Sequence, residues 1–230
     1  MKINNPFKDL TKFEKCLWIT SVVVVIGSFA LSDGGDVLTL IASLIGVTAL
    51  IFVAKGFVLG QVMTVVFAVF YGIISFHFRY YGEMLTYLCM TSPIALATVF
   101  EWLRHPYKKS AEVEVKNMTK KQVAVMLFFS VVVTVIFYFI LKALGNANLL
   151  FSTISVTTSF LASYMTFMRS PYYAIGYSAN DIVLIILWIM ASIENISYLP
   201  MIACFVMFLA NDLYGFINWR KMEKRQKADL

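Results

Sequence analysis

Charged residues are scarce in this 230-residue chain. Asp, Glu, Lys and Arg make up 14% of it and hydrophobic residues 60%, against ~25% charged in an ordinary soluble domain. Between Leu17 and Trp219 the apolar runs contain almost no Lys or Arg. That scarcity excludes a soluble globular protein and makes the lipid bilayer the expected solvent. There are three cysteines, Cys16, Cys89 and Cys204, all in or beside apolar runs. An odd number at such depth excludes a disulfide framework and leaves packing as their role. The two histidines, His77 and His105, are predicted on opposite faces of the membrane. No Cys/His cluster has metal-ligand spacing, so neither a metal nor a cofactor is expected.

Eight runs approach the ~20 apolar residues that a spanning helix needs: 17–31, 37–54, 57–76, 83–102, 122–141, 149–168, 174–192 and 198–218. The first is short. The second and third are separated only by Lys55 and Gly56, which predicts a tight turn. The first run has a rival reading as a signal peptide, with Ala30-Leu31-Ser32 as a cleavage region. Asp9 and Glu14 in its leader argue against that. Removal leaves seven helices in the same orientation. Eight crossings put both termini on one face, together with 17 of the 19 basic residues. Only Arg79 and Lys142 fall on the other. The positive-inside rule then predicts a multi-pass protein of the cell membrane with both termini in the cytoplasm. The net charge of +6 is accounted for by contact with anionic lipid heads, so no nucleic-acid partner is expected. The basic tail after Trp219 either snorkels to the interface or continues helix eight.

Helices two to four and six to eight read as copies of one unit. Lys55 pairs with Arg169, Gly60 with Gly176, and Glu101-Trp102-Leu103-Arg104 with Asn218-Trp219-Arg220-Lys221, at a nearly constant offset of about 115 residues. Three-helix units that both run inward need one extra helix to reverse the chain, and helix five is that helix. The expected fold is an all-α membrane protein of eight transmembrane helices, a parallel 3+1+3 repeat preceded by one extra N-terminal helix. Its parts are 1–36 (tail and extra helix), 37–103 (first repeat), 104–148 (loop and linker helix), 149–219 (second repeat) and 220–230 (basic tail). Parallel repeats are a transporter architecture, with the solute near the midplane between the halves.

Polar residues inside such helices are costly and carry the clues to function. Asn180-Asp181 on helix seven and Asn211-Asp212 on helix eight lie at similar depth, ~10 Å from the cytoplasmic helix ends. The matching positions of the first unit, Met63-Thr64 and Ile94-Ala95, carry no charge. Two readings stand: a structural hydrogen-bonded network, or the polar wall of a solute site, with proton coupling as a variant. Tyr173, Tyr177, Asp181 and Trp188 follow at intervals of four, four and seven, which places them on one helical stripe. Planar rings favour flat or cationic ligands. Helix six adds Ser152, Thr153, Ser155, Thr157, Thr158, Ser159, Ser163 and Tyr164, which either mediate helix packing or line a pathway. In the first unit the candidates are Gln61, Thr64, Tyr71 and Ser75, with Thr91 and Ser92 beside Pro93. Phosphates are held by Lys, Arg or helix N-termini. With no Lys or Arg in the spans, the expected small-molecule substrate is a neutral or cationic aromatic solute without phosphate. Paired aspartates also suit an intramembrane enzyme, but no other catalytic group accompanies them.

The segment Phe208-Leu-Ala-Asn-Asp-Leu-Tyr-Gly-Phe-Ile-Asn-Trp219, with Tyr81-Gly82-Glu83-Met84 and Phe70-Tyr71-Gly72, resembles the nicotinamide riboside transporters of the PnuC family. The resemblance runs from about Ser43 to Met222. It implies a SWEET-like fold and facilitated diffusion of an unphosphorylated vitamin precursor, nicotinamide riboside first among the candidates. It also implies trapping by a cytoplasmic kinase, vitamin uptake for NAD biosynthesis, and a homotrimer. Other nucleosides, thiamine and riboflavin are the alternatives within it. One departure stands out. Many riboside carriers have two tryptophans three apart on helix seven, then Asn four residues on. Here Asn180 matches that Asn, while Tyr173 and Gly176 occupy the Trp positions, so a different base could be accommodated at Gly176. The expected binding residues are Asn180, Asp181, Tyr177, Tyr173, Trp188, Asn211, Asp212, Gln61 and Thr64.

Overall fold

A computed structural model describes residues 6–31, 37–77, 80–146, 148–194 and 196–229. Among these, eight helices are long and apolar enough to cross a membrane: α1 (Lys12–Ala30), α2 (Val37–Ala54), α3 (Val58–His77), α4 (Tyr81–Arg104), α5 (Lys120–Ala143), α6 (Leu149–Phe167), α7 (Tyr173–Glu194) and α8 (Leu199–Ala228). The first helix is not short. Thr11 and Glu14 form a reciprocal capping box, which starts it at Lys12, before the apolar run begins. At the other end, α8 carries the basic tail on as helix to Ala228, well past Trp219. Between α2 and α3 the chain reverses at Gly56, whose φ of +69° favours glycine.

Packing follows chain order within each group of three. The middle helix, α3 or α7, contacts both its neighbours, and α2 meets α8 while α4 meets α6 to join the groups. Helix α5 packs chiefly on α6 and buries only Met126, Ser130 and Leu141. The rest of its apolar surface faces outward. Helix α1 lies against α2 and α8. Polar cross-links hold it there: Tyr214 donates to the buried Glu14 at 2.6 Å, Asn211 to Ser21 at 3.0 Å, and Trp18 to Thr48 at 3.0 Å.

Two pairs of residues about 115 apart play matching parts. A Cβ on Gly60 of α3 would lie 2.4 Å from the Val53 nitrogen of α2, and one on Gly176 of α7 would lie 2.9 Å from Ala162 Cα of α6. Each glycine thus lets its helix press onto the preceding one. Trp102, near the end of α4, donates its indole N–H to the Thr166 carbonyl of α6 at 3.1 Å, while Trp219 on α8 donates to the Val53 carbonyl of α2 at 2.9 Å. The two indoles meet at 5.4 Å between centroids. Tyr173 packs edge-on to Trp219 at 4.8 Å. These rings close the face that carries the termini.

Across that same face runs the loop between α4 and α5. Val113 donates to the Gly56 carbonyl, Val115 to Gln226 and Lys116 to the Arg169 carbonyl. Arg169 ties it further, reaching Glu114 at 3.3 Å and Glu101 at 3.5 Å. Arg225 pairs with Glu112. The Tyr107 hydroxyl and Lys108 both bond to Asp229 and hold its carboxyl below the usual range.

The close approach at Gly60 gives a direct test. Gly60→Ala must push α2 and α3 apart and is expected to cost about 1–3 kcal/mol, read as a lower melting temperature in detergent. Gly27→Ala on α1, where a Cβ meets nothing within 4 Å, is expected to leave stability unchanged or slightly raised. Equal melting of both variants would contradict the packing described.

Candidate functional site

A cavity of about 40 Å³ lies between the two groups of helices. From α2 come Gly46, Ala49, Leu50 and Val53; from α3, Gln61, Thr64 and Phe67; from α4, Tyr87 and Thr91. Helix α7 supplies Tyr177, Asn180 and Asp181, and α8 supplies Phe208 and Asp212. Gly46 makes room for the Phe208 ring, since a Cβ there would sit 2.4 Å from it. No Lys or Arg lines the cavity among the described residues.

Six of the nine expected residues therefore meet here: Gln61, Thr64, Tyr177, Asn180, Asp181 and Asp212. The two aspartates are almost wholly buried and their carboxyls are neighbours across the α7–α8 contact. The second oxygen of Asp181, Oδ2, has no partner. Hydroxyls of α6 hold the α7 wall in place. Ser155, Thr158 and Ser159 converge on the Asn180 side-chain oxygen at 3.3, 2.9 and 3.0 Å, and Ser163 meets the Tyr177 hydroxyl at 3.3 Å. Other α6 hydroxyls serve packing: Thr157 bonds Thr134 of α5, and Ser152 accepts from Asn146. Thr64 donates to the Gly60 carbonyl of its own helix.

The remaining three expected residues lie outside the lining. Tyr173 belongs to the indole floor beside Trp219. Asn211 faces away, toward Ser21 of α1 and the Met207 carbonyl. Trp188 forms a roof at the opposite end of the cavity, where its indole donates to the Tyr71 hydroxyl at 3.1 Å and packs on Tyr80 and Tyr198. Gly176 is no opening for a bulky base, because its missing Cβ is taken up by the contact with Ala162. The lining contains rings that the α7 stripe did not flag: Phe67, Tyr87 and Phe208. Tyr87 was open to detection, since it stands four residues before Thr91 on the same face of α4. The stretch Thr86–Thr91 that carries both is a π-helical turn, a rare form that is frequent at functional sites.

Known proteins match this architecture over nearly its whole length. The profile of the family described as nicotinamide mononucleotide transporter matches residues 36–221. The chain belongs to this family. Among curated proteins, the nicotinamide riboside transporter PnuC of Neisseria mucosa is 27% identical over 227 residues, covering 96% of this chain and 86% of that one. The nicotinamide riboside transporter PnuC of Haemophilus influenzae is 23% identical over 190 residues, covering 82% and 81%. A crystal structure of the vitamin B3 transporter PnuC superposes with a TM-score of 0.82 at 27% identity, covering 94% of each chain. The chain is accordingly a multi-pass membrane transporter of the PnuC kind with the all-helical, eight-span fold. It is not an enzyme, although its two aspartates do converge.

The roof yields a stability prediction. Tyr71→Phe removes the hydroxyl that accepts from the buried Trp188 N–H and is expected to cost about 1–3 kcal/mol. Trp188→Phe made in the Tyr71→Phe background is expected to cost less than it does alone. Strict additivity in that double-mutant cycle would show that the hydrogen bond contributes nothing.

Proposed function

We propose that this transporter carries nicotinamide riboside by facilitated diffusion through the cavity between its two groups of helices. The observation that carries the reading is an aromatic and carboxyl lining with no basic residue, in a chain of this family. Nicotinamide riboside is a flat pyridinium cation bearing ribose hydroxyls. Rings suit its base, carboxyls its charge and hydroxyls, and Asn180 and Gln61 its amide. The names of the curated relatives point to the same solute. In the proposed site, Asn180, Asp181, Asp212, Tyr177, Gln61 and Thr64 touch the solute, while Tyr173 and Trp188 close its two ends. At about 40 Å³ the cavity is far below the roughly 300 Å³ at the small end of ligand pockets. Admission of a riboside therefore requires the lining rings to move.

The rest of the proposed architecture follows from the charge and packing patterns. The two groups of helices are parallel repeats, supported by the matched glycines and indoles. Both termini lie in the cytoplasm and the bilayer is the plasma membrane, supported by the bias of basic residues toward that face. A homotrimer rests on the family resemblance.

Phosphate separates the riboside from the mononucleotide of the family's description. A phosphate dianion would have to sit beside two carboxyl groups with no basic partner. Like-charge contacts cost several kcal/mol, so uptake of the mononucleotide into liposomes is expected to be at least about tenfold slower than that of the riboside. The riboside should equilibrate unchanged. Equal rates would overturn the unphosphorylated substrate.

Asp181 offers the sharper test. Losing a charged hydrogen bond to a ligand costs ~1.5–3 kcal/mol, or roughly tenfold to over a hundredfold in affinity. Asp181→Asn preserves volume and is expected to weaken riboside binding by that factor while leaving the melting temperature within experimental error. A lower melting temperature with unchanged affinity would make the carboxyl a structural acceptor and remove it from the site.

A further inference from the structure

One carboxyl outside the cavity lining has no evident structural use. Glu83, in the first turn of α4, is fully buried, and neither of its oxygens has a hydrogen-bond partner. Its neighbours are Tyr71, Tyr87 and Ser155. The Ser155 hydroxyl is within reach of Glu83 and also lies 3.3 Å from the Asn180 oxygen, so its single proton serves only one of the two acceptors at a time. No Lys, Arg or His faces Glu83 among the described residues. A carboxyl at such depth without compensation is costly, and a Leu of similar size would pack there without that cost.

Its place on α4 suggests what it is for. Glu83, Tyr87 and Thr91 follow at intervals of four and share one face of the helix. Tyr87 and Thr91 line the cavity, and the Thr91 hydroxyl is likewise unpartnered. Glu83 therefore extends the cavity-facing stripe by one turn, about 6 Å, toward the roof. The π-helical turn lies directly after it. Tyr87 neighbours both Glu83 and Asp181, so a shift of that one ring would join the carboxyls to a single space.

We propose that Glu83 is a second solute-binding carboxyl, one turn along α4 from the cavity, and that it serves a cationic aromatic solute. This deepens the transport reading and rests on it. Carboxyls then reach the solute from both groups of helices, Asp181 and Asp212 from one and Glu83 from the other. A cation moving between roof and floor passes from one acidic group to the next.

The test compares charged and uncharged forms of one solute on purified wild type, Glu83→Gln and Glu83→Asp. Nicotinamide riboside carries a pyridinium charge; its dihydro form has the same shape and none. Calorimetry is expected to show Glu83→Gln losing about tenfold or more in affinity for the cation and little for the dihydro form, with Glu83→Asp recovering part of the loss. A purely structural Glu83 would lower the melting temperature and leave the ratio of the two affinities unchanged, which overturns the proposal. Thiamine, another aromatic cation, separates the two levels of inference. If the wild type binds thiamine but not the riboside, the substrate reading fails and the same comparison is made on thiamine, where an unchanged affinity in Glu83→Gln overturns the role of Glu83. Binding of neither cation overturns both.

Discussion

Within a bilayer there is no water to satisfy a buried donor or acceptor, so each must find its partner inside the protein. In this transporter the decisive partners lie across the seam between the two groups of helices. The last carbonyls of any helix have no partner within it. Those at the end of α2 are taken by Trp219 and Asn218 of α8, at 2.9 and 2.8 Å, and the Thr166 carbonyl near the end of α6 is taken by Trp102 of α4. Each group thus caps a helix of the other. The same seam is bridged at its far end by the Trp188 indole on the Tyr71 hydroxyl. Between these two closures lies the cavity, and every polar group that could recognise a solute is placed relative to them.

This arrangement gives the seam a floor, a chamber and a roof along one stripe of α7. Tyr173 stands in the floor, Tyr177 and Asp181 in the chamber and Trp188 in the roof. For the proposed solute to pass through the seam, floor and roof must part in turn and the lining rings must move, while the polar wall of α7 stays in place. The α6 hydroxyls that hold Asn180 and Tyr177 serve that last need: they tie the chamber wall to a neighbour within its own group, not across the seam. Opening therefore breaks a few aromatic contacts and indole hydrogen bonds and leaves Asn180 and Tyr177 held. The strap of residues 105–119 adds polar links among α4, α8 and the α6–α7 turn outside the floor.

Much of this was legible in the sequence, for identifiable physical reasons. Run length locates the spans because the bilayer core sets a minimum number of apolar residues. It missed the true start of α1, since a capping box is polar and lies outside the apolar run, and it left the helical course of the tail undecided. Stripe analysis gathered the right face of α7 but not the right depth. Trp188 lies fifteen residues beyond Tyr173, a rise of ~22 Å, so one stripe crosses most of the membrane while a chamber occupies a turn or two. Asn211 illustrates the complementary limit. It adjoins Asp212 in sequence, yet neighbours on a helix point ~100° apart, and Asn211 faces α1 while Asp212 faces the cavity. The π-helical turn of α4 depends on tertiary packing and left no signature in composition or spacing.

The aromatic walls bear most closely on which solute is carried. The resemblance to riboside carriers implies two tryptophans on the seventh helix, where this chain has Tyr173 and Gly176. The glycine is spent on helix packing, because α6 comes so close that even a methyl group would collide with Ala162. A tryptophan at that position would force α6 away and disturb the serines and threonine that hold Asn180. The rings in this chamber come instead largely from elsewhere: Phe67 and Tyr87 from the first group, Phe208 from α8, and only Tyr177 from α7. Gly46 on α2 makes room for Phe208, since a Cβ there would meet its ring. Rings and acidic groups thus line one chamber, with Phe67 and Tyr87 on one side of the seam and Tyr177, Asp181 and Asp212 on the other.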